Sequence, residues 1–303
     1  MPANSATQSG TRPAVGLLYN PATPNLLARV PGLIEYLAVM PDRLLFDFGP
    51  NGVTPRFHRT LGAVEAAHCH ASGRLISGHG IGLSLPSAIP LDEEFVSAAA
   101  LLSAGFGGFA WFSEHLSMFL VSHGSVPNSQ AGLGLPVPYD EEIFDIIAKK
   151  LDVLKRALGC DLLLENGAVF TPVPDSDMTE PEFLNRLYSE CNCGTLLDLH
   201  NLYVGLLNGV LSPPEYLEQL NPDCVQEIHL AGGDEMAGFY TDSHSGLTPD
   251  EVWLWAYKFG PRFKNLRAIV FEFHESYFET LGLSGIAGEL ERIHELADVL
   301  KGA

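Results

Sequence analysis

The chain lacks any CxxC pair, and its five cysteines (Cys69, Cys160, Cys191, Cys193 and Cys224) are an odd number, which excludes a zinc ribbon and a closed disulfide framework. A chain with no disulfide framework suits a reducing compartment, and the cytoplasm is the expected location. Basic residues are scarce. Seventeen Lys and Arg face 37 Asp and Glu, a formal net charge of −20, so binding to a phosphate backbone has no electrostatic support and no nucleic acid partner is expected. Two readings account for the acidic excess: solvated surface acids, and carboxylates gathered where bound cations offset them.

Other absences narrow the field further. Residues 1–13, MPANSATQSGTRP, have no apolar core of the kind a secretory signal needs and read as a disordered arm, leaving 14–303 as a single domain. The uncharged stretch Phe95 to Ser113 approaches the length of a membrane helix, but its internal GFGG interrupts it. It reads as an Ala-rich helix, a turn and the buried strand GFAWFS, with no membrane partner. GHGIG at 78–82 and GFGG at 105–108 lack both a Lys-Ser/Thr continuation and dinucleotide spacing, so neither is expected to cradle phosphate. A GxSxG elbow is missing, and Cys191 and Cys193 precede a strand on the side away from the expected site, which leaves little for nucleophilic catalysis.

Hydrophobic residues make up 46% of the chain and charged ones 18%, enough for a sizeable core. Eight short apolar runs recur: 14–20, 43–48, 74–79, 108–115, 161–166, 195–201, 225–232 and 268–274. Between them lie helix signals such as LDEEFVSAAALLSA and YDEEIFDIIAKKLDVLKRALG, the second stopped by Gly159. Eight βα units with near-continuous apolar strands predict an α/β fold, a (β/α)8 TIM barrel. Two connections, Leu116 to Tyr139 and Gly232 to Thr248, are longer than a barrel needs and are candidates for a lid or a substrate-binding rim.

Barrel active sites form at the C-terminal ends of the strands. There the third strand ends on His79, the fourth on His115, the fifth on Glu165, the sixth on Asp198 and His200, the seventh on His229 and the eighth on Glu272, while the loop after the seventh adds Asp242 and His244. A lone strand-end histidine is more often structural, and His58, His68, His70, His123 and His294 are scattered in that way. Convergence of the strand-end set is the informative feature. Imidazole and carboxylate without thiolate suit iron, manganese or zinc, and nine candidates exceed what one ion requires, so two or three metals are expected, with Glu165 the first candidate for a bridging carboxylate.

The segments GHGIGLSL, SEHLS, LLENG, TEPEFLNRL, LLDLHNLYVG, EIHLAGG and YTDSH resemble, in that order, the bacterial multinuclear non-heme iron-dependent oxidative enzymes, over about Val15 to Ser276. The resemblance implies a barrel fold and metal ligation by His79, His115, Glu165, Asp198, His229, Asp242, His244 and Glu272, with His79, His115, Glu165, Asp198, His200, His229 and Glu272 as the catalytic set. It implies an oxidoreductase with two or three iron ions, mixed Fe2+/Fe3+, and O2 as co-substrate. It further implies modification of a residue of a ribosomally synthesised precursor peptide, commonly Cys and sometimes Asp or Asn, with a separate leader-binding partner protein. The chain departs from the family pattern at His200, where many members have Asn, at Gly233, where His is frequent, and in FEFHES, which replaces a Glu-x-Asp ending. His200 and His274 are therefore candidates for compensating ligands. Two competing readings remain: a redox-silent Zn- or Mn-dependent isomerase or hydrolase of the barrel class, and a non-catalytic metal-binding scaffold.

Overall fold

A computed structural model describes residues 12–70, 73–123, 126–172 and 176–301. Eight parallel strands close into a barrel: β1 (Ala14–Leu18), β2 (Tyr36–Val39), β3 (Leu75–Gly80), β4 (Trp111–His115), β5 (Asp161–Glu165), β6 (Gly194–Asp198), β7 (Val225–Leu230) and β8 (Ala268–Phe271). Each strand pairs with the next in chain order, and β1 closes the ring by pairing with both β2 and β8, with Gly16 opposite Tyr36 and Ala14 opposite Ala268. The expected TIM barrel is present.

The second strand lies elsewhere than expected. The barrel uses Tyr36–Val39, buried along its whole length, and not residues 43–48. Pro41 follows the strand and opens a short helix, Pro41–Leu44, after which Leu45–Asp47 pairs antiparallel with Phe57–Arg59 outside the barrel. In that hairpin Phe46 and Phe48 are about half exposed, so the apolar run 43–48 covers surface and does not enter the sheet.

Helices flank the strands. Asp92 and Asp140 cap Glu93–Gly105 and Glu141–Leu158 through their carboxylates, and Gly159 ends the second in the left-handed region at φ 67°. A reciprocal box between Thr179 and Glu182 opens Glu180–Cys191. The apolar core lies mainly between strands and helices; a smaller cluster of Tyr36, Ala38, Trp111, Leu163, Leu196, Ala268 and Val270 fills the barrel interior. Both long connections fold as antiparallel hairpins, Met118–His123 with Val126–Leu135 and Gly232–Met236 with Phe239–Gly246. Residues 1–11 of the expected N-terminal arm lie outside the described residues, whereas Arg12 bonds to Glu35 at 2.9 Å and Asp298 at 2.5 Å. Among the described residues no helix is long and apolar enough to cross a membrane.

Candidate metal centre

Alternation along a strand sends every second side chain inward, and the inward residues nearest the C-terminal ends are polar. His79, Glu165, Asp198 and His229 are buried under a cavity of about 580 Å³, whose walls include Ser117 and Phe119 from the first hairpin and Thr241, Asp242 and His244 from the second. The long connections thus form its rim.

Glu165 sits at the centre. One ligating atom each from His79, His115 and Glu165 lie within 4.8 Å of one another, and so do one each from Glu165, Asp198 and His229. His115 Nδ1 is 2.8 Å and His79 Nε2 3.6 Å from the same oxygen, Glu165 Oε2. A second chain of contacts runs from His229 Nδ1 to Glu272 Oε1 at 2.9 Å, from Glu272 Oε2 to His244 Nε2 at 3.2 Å, and from His244 Nε2 to Asp242 Oδ1 at 2.9 Å. His200 Nδ1 reaches the same Asp242 oxygen at 2.9 Å.

All nine candidate residues therefore come together, with one adjustment of position. His200 is not on strand β6, which ends at Asp198; it lies in the first turn of helix Leu199–Leu207, and Asp198 caps that helix by accepting from Asn201 N at 2.7 Å. His274 stays apart, half exposed at the rim, its Nδ1 accepting from Ser276 N at 3.2 Å. Gly233 and His200 fit one another: a Cβ at 233 would stand 3.2 Å from His200 Cε1 and 1.9 Å from the backbone oxygen of Thr241.

Burial and crowding set the charges. Burial, with His115 and His229 beside it, drives His79 well below its usual pKa and keeps it neutral. Burial opposes a charge on His115 too, but the adjacent Glu165 carboxylate prevails and raises it to about 9. His244 behaves alike, raised to about 10 by Asp242 and Glu272 against burial, and Asp242 is in turn held low against burial by His244 and His200. Asp198 moves the other way, the pull of His229 being outweighed. Burial, then repulsion from Asp242 and Glu165, pushes it far above the carboxylate range.

These atoms suit a metal better than they suit each other. Glu165 Oε2, Asp198 Oδ2, His229 Nδ1, His244 Nε2 and Glu272 Oε1 are buried without a hydrogen-bond partner, although several stand within 3.2 Å of another member of the set. They are close but do not point donor to acceptor. Two ligands about 2.1 Å from one ion and at right angles stand about 3 Å apart, the spacing seen here. Supporting contacts fix the set. Ser113 Oγ donates to Gly78 O at 3.3 Å and so accepts from His79 Nδ1 at 2.8 Å, leaving the Nε2 lone pair facing Glu165.

Sequence reasoning missed Ser113 and also Asn166, fully buried, which donates to Asp198 O at 2.9 Å and accepts from Asp198 N at 2.8 Å. Its position directly after the strand-end Glu165 was the available signal. GHGIG also has a packing role: a Cβ at Gly80 would lie 2.2 Å from Glu114 Oε2, and one at Gly82 would lie 2.5 Å from Asp42 Oδ1.

A family model described as RiPP precursor modification enzyme MbnB/TglH/ChrH matches residues 16–298. A UPF0276 protein of Chromobacterium violaceum is 38% identical over 178 residues, 59% of this chain and 62% of the relative. One from Pasteurella multocida is 32% identical over 209 residues, 68% of this chain and 65% of the relative. The chain thus spans under two thirds of the length of these curated relatives. Among solved structures, a zinc-bound IOLI protein superposes with a TM-score of 0.56 at 14% identity, covering 95% of this chain and 99% of that one. A D-tagatose 3-epimerase-like protein gives 0.53 at 12%, covering 95% and 98%. At such identities the likeness is one of fold.

Proposed function

From the premise that this chain belongs to the MbnB/TglH/ChrH family of RiPP precursor modification enzymes, we propose that it is a multinuclear iron-dependent, O2-using enzyme that oxidises a residue of a ribosomally synthesised precursor peptide. The observation that carries the reading is the sharing of Glu165 between two ligand groups, His79 with His115 and Asp198 with His229. One carboxylate within reach of two three-residue groups is how protein ligands hold two metal ions side by side. His200, Asp242, His244 and Glu272 form the place for a third.

Iron held here supplies the redox chemistry that an oxidation by O2 requires. The chain's own residues do the rest. Ser113 holds His79 in the tautomer that offers Nε2, and Asn166 and Asn201 fix the backbone and one oxygen of Asp198, leaving Oδ2 free. The cavity above the centre is walled by both hairpins and by Phe119, Phe170 and Phe273, which gives an extended peptide an apolar channel and shields the reacting side chain from water. The modified residue is Cys, or else Asp or Asn, each able to present a thiolate or an oxygen to an open metal position. A separate leader-binding protein delivers the peptide.

The His200 and Gly233 pair supports a third ligand set that includes His200. With no side chain at 233, the His200 ring occupies that side of the hairpin and meets Asp242. The redox-silent reading, a zinc or manganese isomerase, has fold likeness behind it and no residue of its own.

The test is to incubate iron-loaded protein with a short peptide encoded beside its gene, with and without O2, and to follow the peptide by mass spectrometry. An O2-dependent mass change confined to a Cys, Asp or Asn is expected. No change with metals fully loaded and the neighbouring partner protein present would overturn the proposal.

A further inference from the structure

Beneath the metal-site residues the barrel interior holds a carboxylate where barrels of this class stack apolar side chains. Glu227, on β7 and two residues before His229, points to the same inner face and is fully buried. Its Oε2 accepts from Trp111 Nε1 at 2.7 Å and its Oε1 from Tyr36 OH at 2.8 Å. The Tyr36 and Trp111 rings stack with centroids 5.1 Å apart, which fixes both donors, and Ser77 bonds the Tyr36 hydroxyl from the other side. His229 Nε2 faces the same Oε1 at 3.4 Å, in ion-pair range but, like Nδ1 of that ring, buried and without a hydrogen-bond partner.

We infer that Glu227 is the positioning residue for His229: its carboxylate, 3.4 Å from Nε2, keeps the imidazole proton on that nitrogen, so that His229 offers Nδ1, and not Nε2, to the metal. The inference rests on the metal-centre reading above. The geometry on the other side of the ring agrees. Nδ1 stands 2.9 Å from Glu272 Oε1, both atoms buried and without a hydrogen-bond partner, as two ligands of one ion stand. A carboxylate can accept from three converging donors because it carries only acceptor sites. Trp111 holds Oε2 and Tyr36 holds Oε1, which pins the carboxylate in place beside His229. A carboxylate behind a ligating histidine fixes its tautomer and raises its basicity.

Glu227→Gln tests this specifically. The amide keeps shape but brings an NH2 among three donors, and its escape is to donate to His229 Nε2, which puts the proton on Nδ1 and blocks the ligating atom. Metal-free wild type and variant are titrated without oxygen with Co2+, following visible absorption and exchangeable hyperfine-shifted protons by NMR. The expected result is a loss of about 10- to 100-fold in affinity for one Co2+ per chain, other sites unchanged, with one exchangeable shifted N–H resonance gone. Tyr36→Phe provides a second reading in a chain that keeps the carboxylate: relieved of one donor, Glu227 binds His229 more firmly, and that N–H resonance exchanges more slowly. Wild type that binds Co2+, with Glu227→Gln giving the same affinities and resonances, or Tyr36→Phe leaving the exchange rate unmoved, overturns the role of Glu227 alone. Wild type that binds no Co2+ overturns the metal centre with it.

Discussion

Filling the centre of the metal-free protein with divalent metal at neutral pH should release at least two protons per chain, from His115 and His244, with Asp198 and His229, both raised by their surroundings, adding to that number. His115 and His244 are raised to about 9 and about 10, so both are almost fully protonated at pH 7 and paired with Glu165 and Asp242. A metal can take their nitrogens only after those protons leave. At pH 7 the two displacements cost about 3 and about 4 kcal/mol, from about two and about three pKa units at 1.36 kcal/mol each. Apparent affinity should therefore climb steeply between pH 7 and 9, by nearly two decades per pH unit from these two histidines alone. In the metal-free protein the same pairs stabilise the fold: that contribution is complete below the ordinary histidine pKa and is lost as pH rises through 9 to 10, so the metal-free protein weakens with alkali while the loaded protein does not. Calorimetric titration with Co2+ in buffers of different ionisation enthalpy counts the protons. Zero protons released, with affinity flat from pH 7 to 9, would refute the reasoning and mark these contacts as ion pairs that no metal displaces.

Glu165→Gln should lower bound metal by at least one ion per chain, because both ligand groups lose their common member; elemental analysis of folded variant against wild type decides it. Asn166→Ala leaves the buried N–H and C=O of Asp198 without their side-chain partner, at about 3 kcal/mol; urea unfolding of the metal-free protein should show it, and a loss under about 0.5 kcal/mol contradicts the assigned role. Gly233→Ala must displace hairpin backbone, since its Cβ would lie 1.9 Å from Thr241 O; about 2 kcal/mol of destabilisation is expected, with the site at Asp242 and His244 disturbed more than that at His79 and His115, readable in the Co2+ spectra.

The barrel was legible because strands buried on both faces read as continuous apolar runs, and β3 to β8 each carry such a run. The second strand was misplaced for a physical reason. Tyr36–Val39 is only four residues long, whereas residues 43–48 hold four apolar residues in six, two of them phenylalanines, a run that suits a half-exposed hairpin as well as a barrel strand. Site residues were legible because a parallel barrel brings every strand's C-terminal end to one face, so His79, His115, Glu165, Asp198, His229 and Glu272 had to converge. Supporting residues were harder. Ser113 and Glu227 sit two residues before His115 and His229 on the same inner face, so strand alternation contained the signal, but a polar residue inside a barrel has no reason to be expected until its partners, Tyr36 and Trp111 among them, are known from the fold.

The central claim is that Glu165 lies between two irons. Mössbauer spectroscopy of protein loaded anaerobically with the Mössbauer-active iron isotope, with iron counted on the same sample, tests it most directly. Two or more irons per chain, at least two antiferromagnetically coupled after partial oxidation, is the predicted result; uncoupled single iron, or zinc or manganese retained against iron supplementation, would contradict it.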